Sequence, residues 1–150
     1  MQLIIDKKEK INSYLNSCDL EYNEYGKPYI KNNEFYFNKS HTNKLSVLII
    51  NNNECGIDIE TIRKYKPIMA KKILSKDECE LINKKENKDY YFTLIWTLKE
   101  SYLKALGTGI NTKLNEISFV ENNKLILIKD NYKFKIIKIE NYIITSCRRD

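Results

Sequence analysis

Arginine is scarce in this basic chain. Of 26 basic residues only Arg63, Arg148 and Arg149 are arginines. Proteins that read bases lean on the arginine fork, and no RNA-binding or helix-turn-helix signature is present, so no nucleic-acid partner is expected. Histidine occurs once, at His41, and Cys18, Cys55, Cys79 and Cys147 contain no Cys-x-x-Cys pair. A zinc site and a disulfide framework are both unexpected on that count. No apolar run approaches the length that spans a bilayer, and the opening MQLIIDKKEK has no signal-peptide apolar region. A cytoplasmic location without membrane contact is the expectation. Without a repeat or a Pro/Ser-rich linker, the 150 residues are expected to form a single domain, 1–150.

What is present is charge in excess. The net charge of +6, on a composition 42% hydrophobic and 31% charged, favours an acidic partner or a phosphate-bearing ligand. The spacing predicts a helix over 7–17, with Ile11, Tyr14 and Leu15 on one face. Gly26-Lys27-Pro28 is a turn signal. A short strand is expected over 34–38, and strands over 45–51 and 55–60 read as a hairpin around Asn51-Asn52-Asn53. Pro67 opens a short helix over 67–74. Ser75 and Glu78 form a capping box that starts a second helix. The longest helix is predicted over 89–106, with Gly107 as its stop. Strands follow over 116–120, 124–129, 133–139 and 142–147, with tight turns at Asp130-Asn131 and Glu140-Asn141. Strands, a helical block of about three helices and more strands give an α+β fold with an antiparallel sheet packed on the helices.

Three clusters of residues carry chemistry. On the long helix, Tyr91, Leu94, Ile95, Leu98, Tyr102 and Ala105 share one side, while Trp96, Glu100 and Lys104 form an i, i+4, i+8 row on the other with Lys99 beside it. A solvated face with a Glu–Lys pair would look the same. In Gly56-Ile57-Asp58-Ile59-Glu60, alternation turns both isoleucines to a core and Asp58 and Glu60 together to the opposite face. That is either a polar sheet surface or a site for a hard divalent cation held by oxygen ligands, with Glu100 placed to add a third carboxylate. In Phe37-Asn38-Lys39-Ser40-His41, Ser40 and His41 follow the turn that holds Lys27. They are either incidental or a phosphate-binding pair.

The order GKP, FNKSH, GIDIE, WTLKESYLK, extending from Tyr25 to Phe119, resembles the 4′-phosphopantetheinyl transferases of the surfactin-synthetase-activating (Sfp) type. LSKDE before the second helix and YYFTLIW leading into the third fit the same pattern. The resemblance implies transfer of the phosphopantetheine arm of coenzyme A to a serine of an acyl, peptidyl or polyketide carrier protein, in secondary metabolism, with release of adenosine 3′,5′-bisphosphate. It implies Mg²⁺, or Mn²⁺ in its place, held by Asp58, Glu60 and Glu100. Ser40 and His41 would hold the 3′-phosphate of coenzyme A, Lys27 and Pro28 would sit at its adenylate end, and Lys99 and Lys104 would reach its pyrophosphate. Glu100 and Lys104 would be the catalytic pair. An acidic carrier protein would suit the positive charge, docking on 67–88.

Members of this type consist of two similar halves with coenzyme A between them. By that pattern the chain is pseudo-two-fold, with a shortened first half over 1–53 and a complete second half over 54–150. A homo-oligomer in which a second copy covers the gap is one expectation. A relative that binds coenzyme A or a carrier protein without catalysis is the alternative.

Overall fold

The computed structural model describes residues 1–31, 35–109 and 113–150. Its first element is not predicted from the sequence: Gln2–Asp6 forms strand β1, because Leu3, Ile4 and Ile5 pair antiparallel with Ile49, Leu48 and Val47. Lys8–Asn16 (α1) follows. It buries Ile11 and Leu15, but Tyr14 is 59% exposed rather than part of the covered face. A helix packed on one side only covers a narrow stripe, and Tyr14 falls at its margin.

Leu20–Tyr22 (β2) and Pro28–Ile30 (β3) form a small hairpin around the Gly-Lys-Pro turn. Tyr36–His41 (β4) takes the place of the predicted strand 34–38; residue 34 lies outside the described residues. Ser46–Asn51 (β5) and Cys55–Thr61 (β6) come next.

β5 and β6 are not a hairpin. β5 is the centre of a three-stranded sheet, β1-β5-β4. β6 is the edge of a second sheet, in which it pairs with the strand formed by Tyr142–Arg149 (β11). The reason is burial on both faces of each strand: Val47 and Ile49 stack on Ile57 and Ile59 in one shared core instead of lying beside them. A short turn brings two strands close but does not decide whether they pair or stack. β4 touches β6 through side chains, with Ile57 N–H donating to Asn38 Oδ1 at 3.0 Å.

The helical block is formed by Pro67–Ile73 (α2), Lys76–Asn83 (α3) and Lys88–Leu106 (α4). Both halves of the Ser75–Glu78 capping box form. α4 ends where expected, in left-handed Gly107 with φ 70°, whose N–H donates to Leu103 O. α4 is not one-sided. Phe92 and Ile95 pack on Ala70, Ile73 and Ile82 of α2 and α3, while Leu94, Leu98 and Tyr102 pack on Phe119, Phe134 and Ile143.

The predicted strand 116–120 is instead a short 3-10 turn, Leu114–Glu116, and a loop into Val120–Glu121 (β7). Its backbone is committed to a side chain, with Phe119 N–H donating to buried Glu78 Oε1 at 2.8 Å. The predicted strand 124–129 divides into Lys124–Leu125 (β8) and Ile128–Lys129 (β9). Between them Ile126 N–H turns to Phe119 O, at 2.9 Å. Tyr132–Ile139 (β10) and β11 close the sheet β6-β11-β10-β9. The two expected turns hold: Asp130 and Asn131 both take positive φ, as does Glu140. The fold is α+β with antiparallel sheets, as predicted, and the strands divide between two main sheets rather than one.

Gly56 fixes the distance between β6 and α4. A Cβ there would lie 2.0 Å from Ser101 O and 2.5 Å from Ala105 N, both backbone atoms. Gly56→Ala is therefore expected to destabilise the chain by about 3 kcal/mol, the upper range for overpacking. Urea unfolding read by circular dichroism would show it; an unchanged midpoint would mean that α4 can move away freely.

Candidate active site

The alternation of β6 turns Gly56, Asp58 and Glu60 to α4. The close Gly56 contact with Ser101 and Ala105 sets the next residues along both elements face to face: Asp58 with Lys104, and Glu60 with Trp96. Lys104 Nζ lies 2.6 Å from Asp58 Oδ1 and donates to Ser40 Oγ at 3.0 Å. Ser40 in turn donates to Asp58 Oδ1 at 2.8 Å. Three elements, β4, β6 and α4, thus meet in one hydrogen-bonded triangle. The Trp96 indole N–H donates to Glu60 Oε1 at 3.1 Å.

Two buried carboxylate oxygens in this site, Asp58 Oδ2 and Glu100 Oε1, lack a partner among the described residues. Buried acceptors are nearly always hydrogen-bonded, and Asp58 is only 4% exposed. Glu100 reflects the arrangement: burial, and then the Asp58 charge beside it, push its carboxyl above the usual carboxylate range, while Lys104 opposes them. Two unpartnered carboxylate oxygens from residues that line one cavity are what a hard divalent cation would satisfy. Among the described residues no three Asp, Glu, His or Cys side chains converge to hold a metal ion. Arg63 clasps both oxygens of Glu60.

Two cavities flank the triangle and share Glu100 and Lys104 as a wall. One, of about 470 Å³, is bounded by Lys39, Ser40, His41, Asp58 and Glu60. The other, of about 290 Å³, is bounded by Tyr25, Lys27, Pro28, Leu103 and Gly107. In the first, His41 Nε2 lies 3.3 Å from Lys8 Nζ. Partial burial, then the charges of Lys8, Lys39 and Lys104, hold the ring below the ordinary histidine value. In the second, Lys27 Nζ donates to Ala105 O at 2.8 Å and the Asn23 amide donates to Gly107 O at 3.0 Å. Both cap the carbonyl end of α4. Burial lowers the Lys27 ammonium from its ordinary value.

Asp58, Glu60, Glu100, Lys104, Ser40, His41, Lys27 and Pro28 all line these cavities. Lys99 does not, and its expected place at the pyrophosphate is corrected here. It is wholly buried among the helices, ion-paired with Glu78 and donating to Ile73 O at 2.6 Å and Leu114 O at 2.8 Å. A cation so saturated is a structural tie. Its burial follows from α4 being covered on nearly every side, which a single-face reading of the helix conceals. Asn38, Asn23 and Arg63 were not singled out from the sequence. Asn38 sits in the FNKSH stretch and Arg63 follows Glu60 by three residues, so proximity to the motifs was their only signal.

Residues 54–147 match the family model of the 4′-phosphopantetheinyl transferase superfamily. The chain is 33% identical over 114 residues to the 4′-phosphopantetheinyl transferase gsp of Aneurinibacillus migulanus, an alignment that covers 74% of this chain and 48% of that one. It is 32% identical over 109 residues to the 4′-phosphopantetheinyl transferase Sfp of Bacillus subtilis strain 168, covering 69% and 49% respectively. The chain thus spans about half the length of these relatives. The holo-[acyl-carrier-protein] synthase of Thermotoga maritima shares the fold, with a TM-score of 0.54 at 22% identity over 65% of this chain and 64% of that one. By sequence and by fold, the chain belongs to the 4′-phosphopantetheinyl transferase superfamily.

Proposed function

We propose that this chain transfers the 4′-phosphopantetheine arm of coenzyme A to a serine hydroxyl of an apo carrier protein, releasing adenosine 3′,5′-bisphosphate. The observation that carries the reading is the pair of unpartnered carboxylate oxygens, Asp58 Oδ2 and Glu100 Oε1, set beside the Lys104 ammonium between two cavities. Those oxygens fit Mg²⁺, with Mn²⁺ as an alternative; when bound, the ion would neutralise the pyrophosphate and polarise the attacked phosphorus. Phosphoryl transfer otherwise needs position more than covalent help. The serine oxygen forms the new bond to phosphorus as the bond to the bisphosphate oxygen breaks. Glu100 takes the serine proton, directly or through a water. Lys104, fixed by Asp58 and Ser40, offsets the charge that grows on the leaving oxygen.

In this reading Ser40 and His41 hold the 3′-phosphate and Lys27 and Pro28 border the adenylate. The net charge of +6 suits an acidic carrier protein. On 67–88, Ile68 is 82% exposed and Met69 38%, with Lys71 and Lys72 beside them on α2, an apolar contact with a basic rim. Residues 1–53 are the smaller and 54–150 the fuller of two halves, a division supported by the family match over 54–147, and a second copy of the chain is the candidate for closing the smaller side. A cytoplasmic location and a role in secondary metabolism belong to the same reading. No helix among the described residues is long and apolar enough to cross a membrane.

The test is intact-protein mass spectrometry of an apo carrier protein incubated with this chain, coenzyme A and Mg²⁺. The expected result is a mass gain of one phosphopantetheine group that a chelator prevents. No gain across carrier proteins of several classes would overturn the transferase reading in favour of a non-catalytic binder, which coenzyme A titration would then identify.

A further inference from the structure

The three carboxylates of the site are not equivalent. Asp58 and Glu100 each carry an oxygen without a partner, whereas both oxygens of Glu60 are taken. Arg63 Nη2 donates to Oε1 at 2.8 Å and Oε2 at 2.7 Å, and Arg63 Nε donates to Oε2 at 3.1 Å. The Trp96 indole N–H supplies a second donor to Oε1. A carboxylate offers about four lone-pair positions, and here four donor contacts fill them. Arg63 is further seated over the Trp96 ring, its guanidinium carbon 5.6 Å from the ring centroid. A cation cannot bond directly to Glu60 without displacing one of these donors. The indole is anchored in α4, so the displaceable donor is Arg63, whose side chain is 45% exposed while that of Glu60 is 18% exposed.

We propose that Arg63 and the divalent cation compete for the Glu60 carboxylate, so that Arg63 acts as a latch that keeps Glu60 in reserve. This rests on the cation-dependent reading of the site given above. With the latch closed, Asp58 and Glu100 are the direct carboxylate ligands that the described residues of the site offer. With it open, Glu60 turns from Arg63 to the ion and becomes the third. Arg63 thus sets cation affinity as a positioning residue, without touching the reacting atoms.

The experiment measures Mn²⁺ affinity of the full chain by loss of the free-ion electron paramagnetic resonance signal, with quenching of Trp96, the single tryptophan, as a second readout. Neither needs a carrier protein or turnover. Arg63→Gln is expected to tighten Mn²⁺ binding by about fivefold, the upper end for a half-exposed ion pair. Arg63→Lys, which keeps the charge but loses the fork, is expected to tighten it about twofold. In a Glu60→Gln background, Arg63→Gln should give no gain. Unchanged or weaker binding by Arg63→Gln would overturn the latch. So would a gain that persists in the Glu60→Gln background, since it would reflect charge acting through space. If the wild-type chain binds Mn²⁺ and Asp58→Asn does not, the cation site stands whatever becomes of the latch. If the wild-type chain binds none at millimolar Mn²⁺, both are overturned.

Discussion

Lys99→Met is expected to lower the stability of the chain by about 3–5 kcal/mol, the range for breaking a buried ion pair by removing one partner. That is a fall of about 10 °C in Tm at this size. Methionine keeps the length and apolar stem of lysine, so little packing is lost. What is lost is the cation paired with the Glu78 carboxylate, itself wholly buried, and the donor to the carbonyls of Ile73 and Leu114. Burial pulls the Lys99 ammonium below its ordinary value and Glu78 holds it up, a balance in which each partner depends on the other. Adding Glu78→Gln should restore part of the loss, because it removes the stranded charge while leaving an oxygen for the Phe119 N–H. Thermal melts of the single and double variants decide the matter. A Lys99→Met chain with wild-type Tm and no transfer activity would instead return Lys99 to the active site.

Asp58→Asn is expected to have the opposite profile: a folded chain in which carrier-protein modification falls by about 10³-fold or more, the several kcal/mol that a bound metal supplies. Asparagine keeps an oxygen for Ser40 and Lys104 and replaces an unpartnered acceptor with an N–H donor beside Glu100. It also removes the charge that is the second cause of the raised Glu100 carboxyl. The sign follows from linkage. A carboxyl raised in the folded state favours folding when protonated, so stability declines as pH rises from the unfolded value through the folded one. In Asp58→Asn that decline should shrink, and Tm near neutral pH without divalent cation should match or exceed wild type. Millimolar Mg²⁺ should then raise the wild-type Tm and leave the variant unmoved. Wild-type turnover by Asp58→Asn would remove Asp58 from the cation site.

What could be read from the sequence was local. The Ser75–Glu78 capping box, the Gly107 stop and the Asp130-Asn131 turn each depend on residues within four positions of one another, and each forms as expected. The GIDIE and WTLKESYLK motifs likewise carry their own geometry, through strand alternation and the helical i, i+4 row. The failures are questions of partner. Nothing between Asn51 and Cys55 says that β5 will stack on β6 instead of pairing with it. Nothing in Leu3-Ile4-Ile5 says that β5 offers an edge. Lys99 stands beside Glu100 in sequence, yet α3 claims one and the cavities the other. Arg63 was overlooked because one ion pair at i, i+3 is common, and its meaning comes from Trp96, which only the tertiary fold brings near.

The pairing of β6 with β11 has a consequence for biosynthesis. The strand that carries Asp58 and Glu60 registers residue for residue with 142–148, so that Asp58 lies opposite Thr145 and Glu60 opposite Ile143. On a ribosome, β6 emerges early and waits, its hydrogen-bonding edge unmet, while α2, α3, α4 and the intervening strands are synthesised. Helices close locally and can form during that interval; a strand pairing across this much chain cannot. The carboxylates are therefore expected to be set against the helix only once 142–148 is available to pair, and a chain truncated before residue 142 is expected to lack the divalent-cation binding proposed above, however much helix it contains.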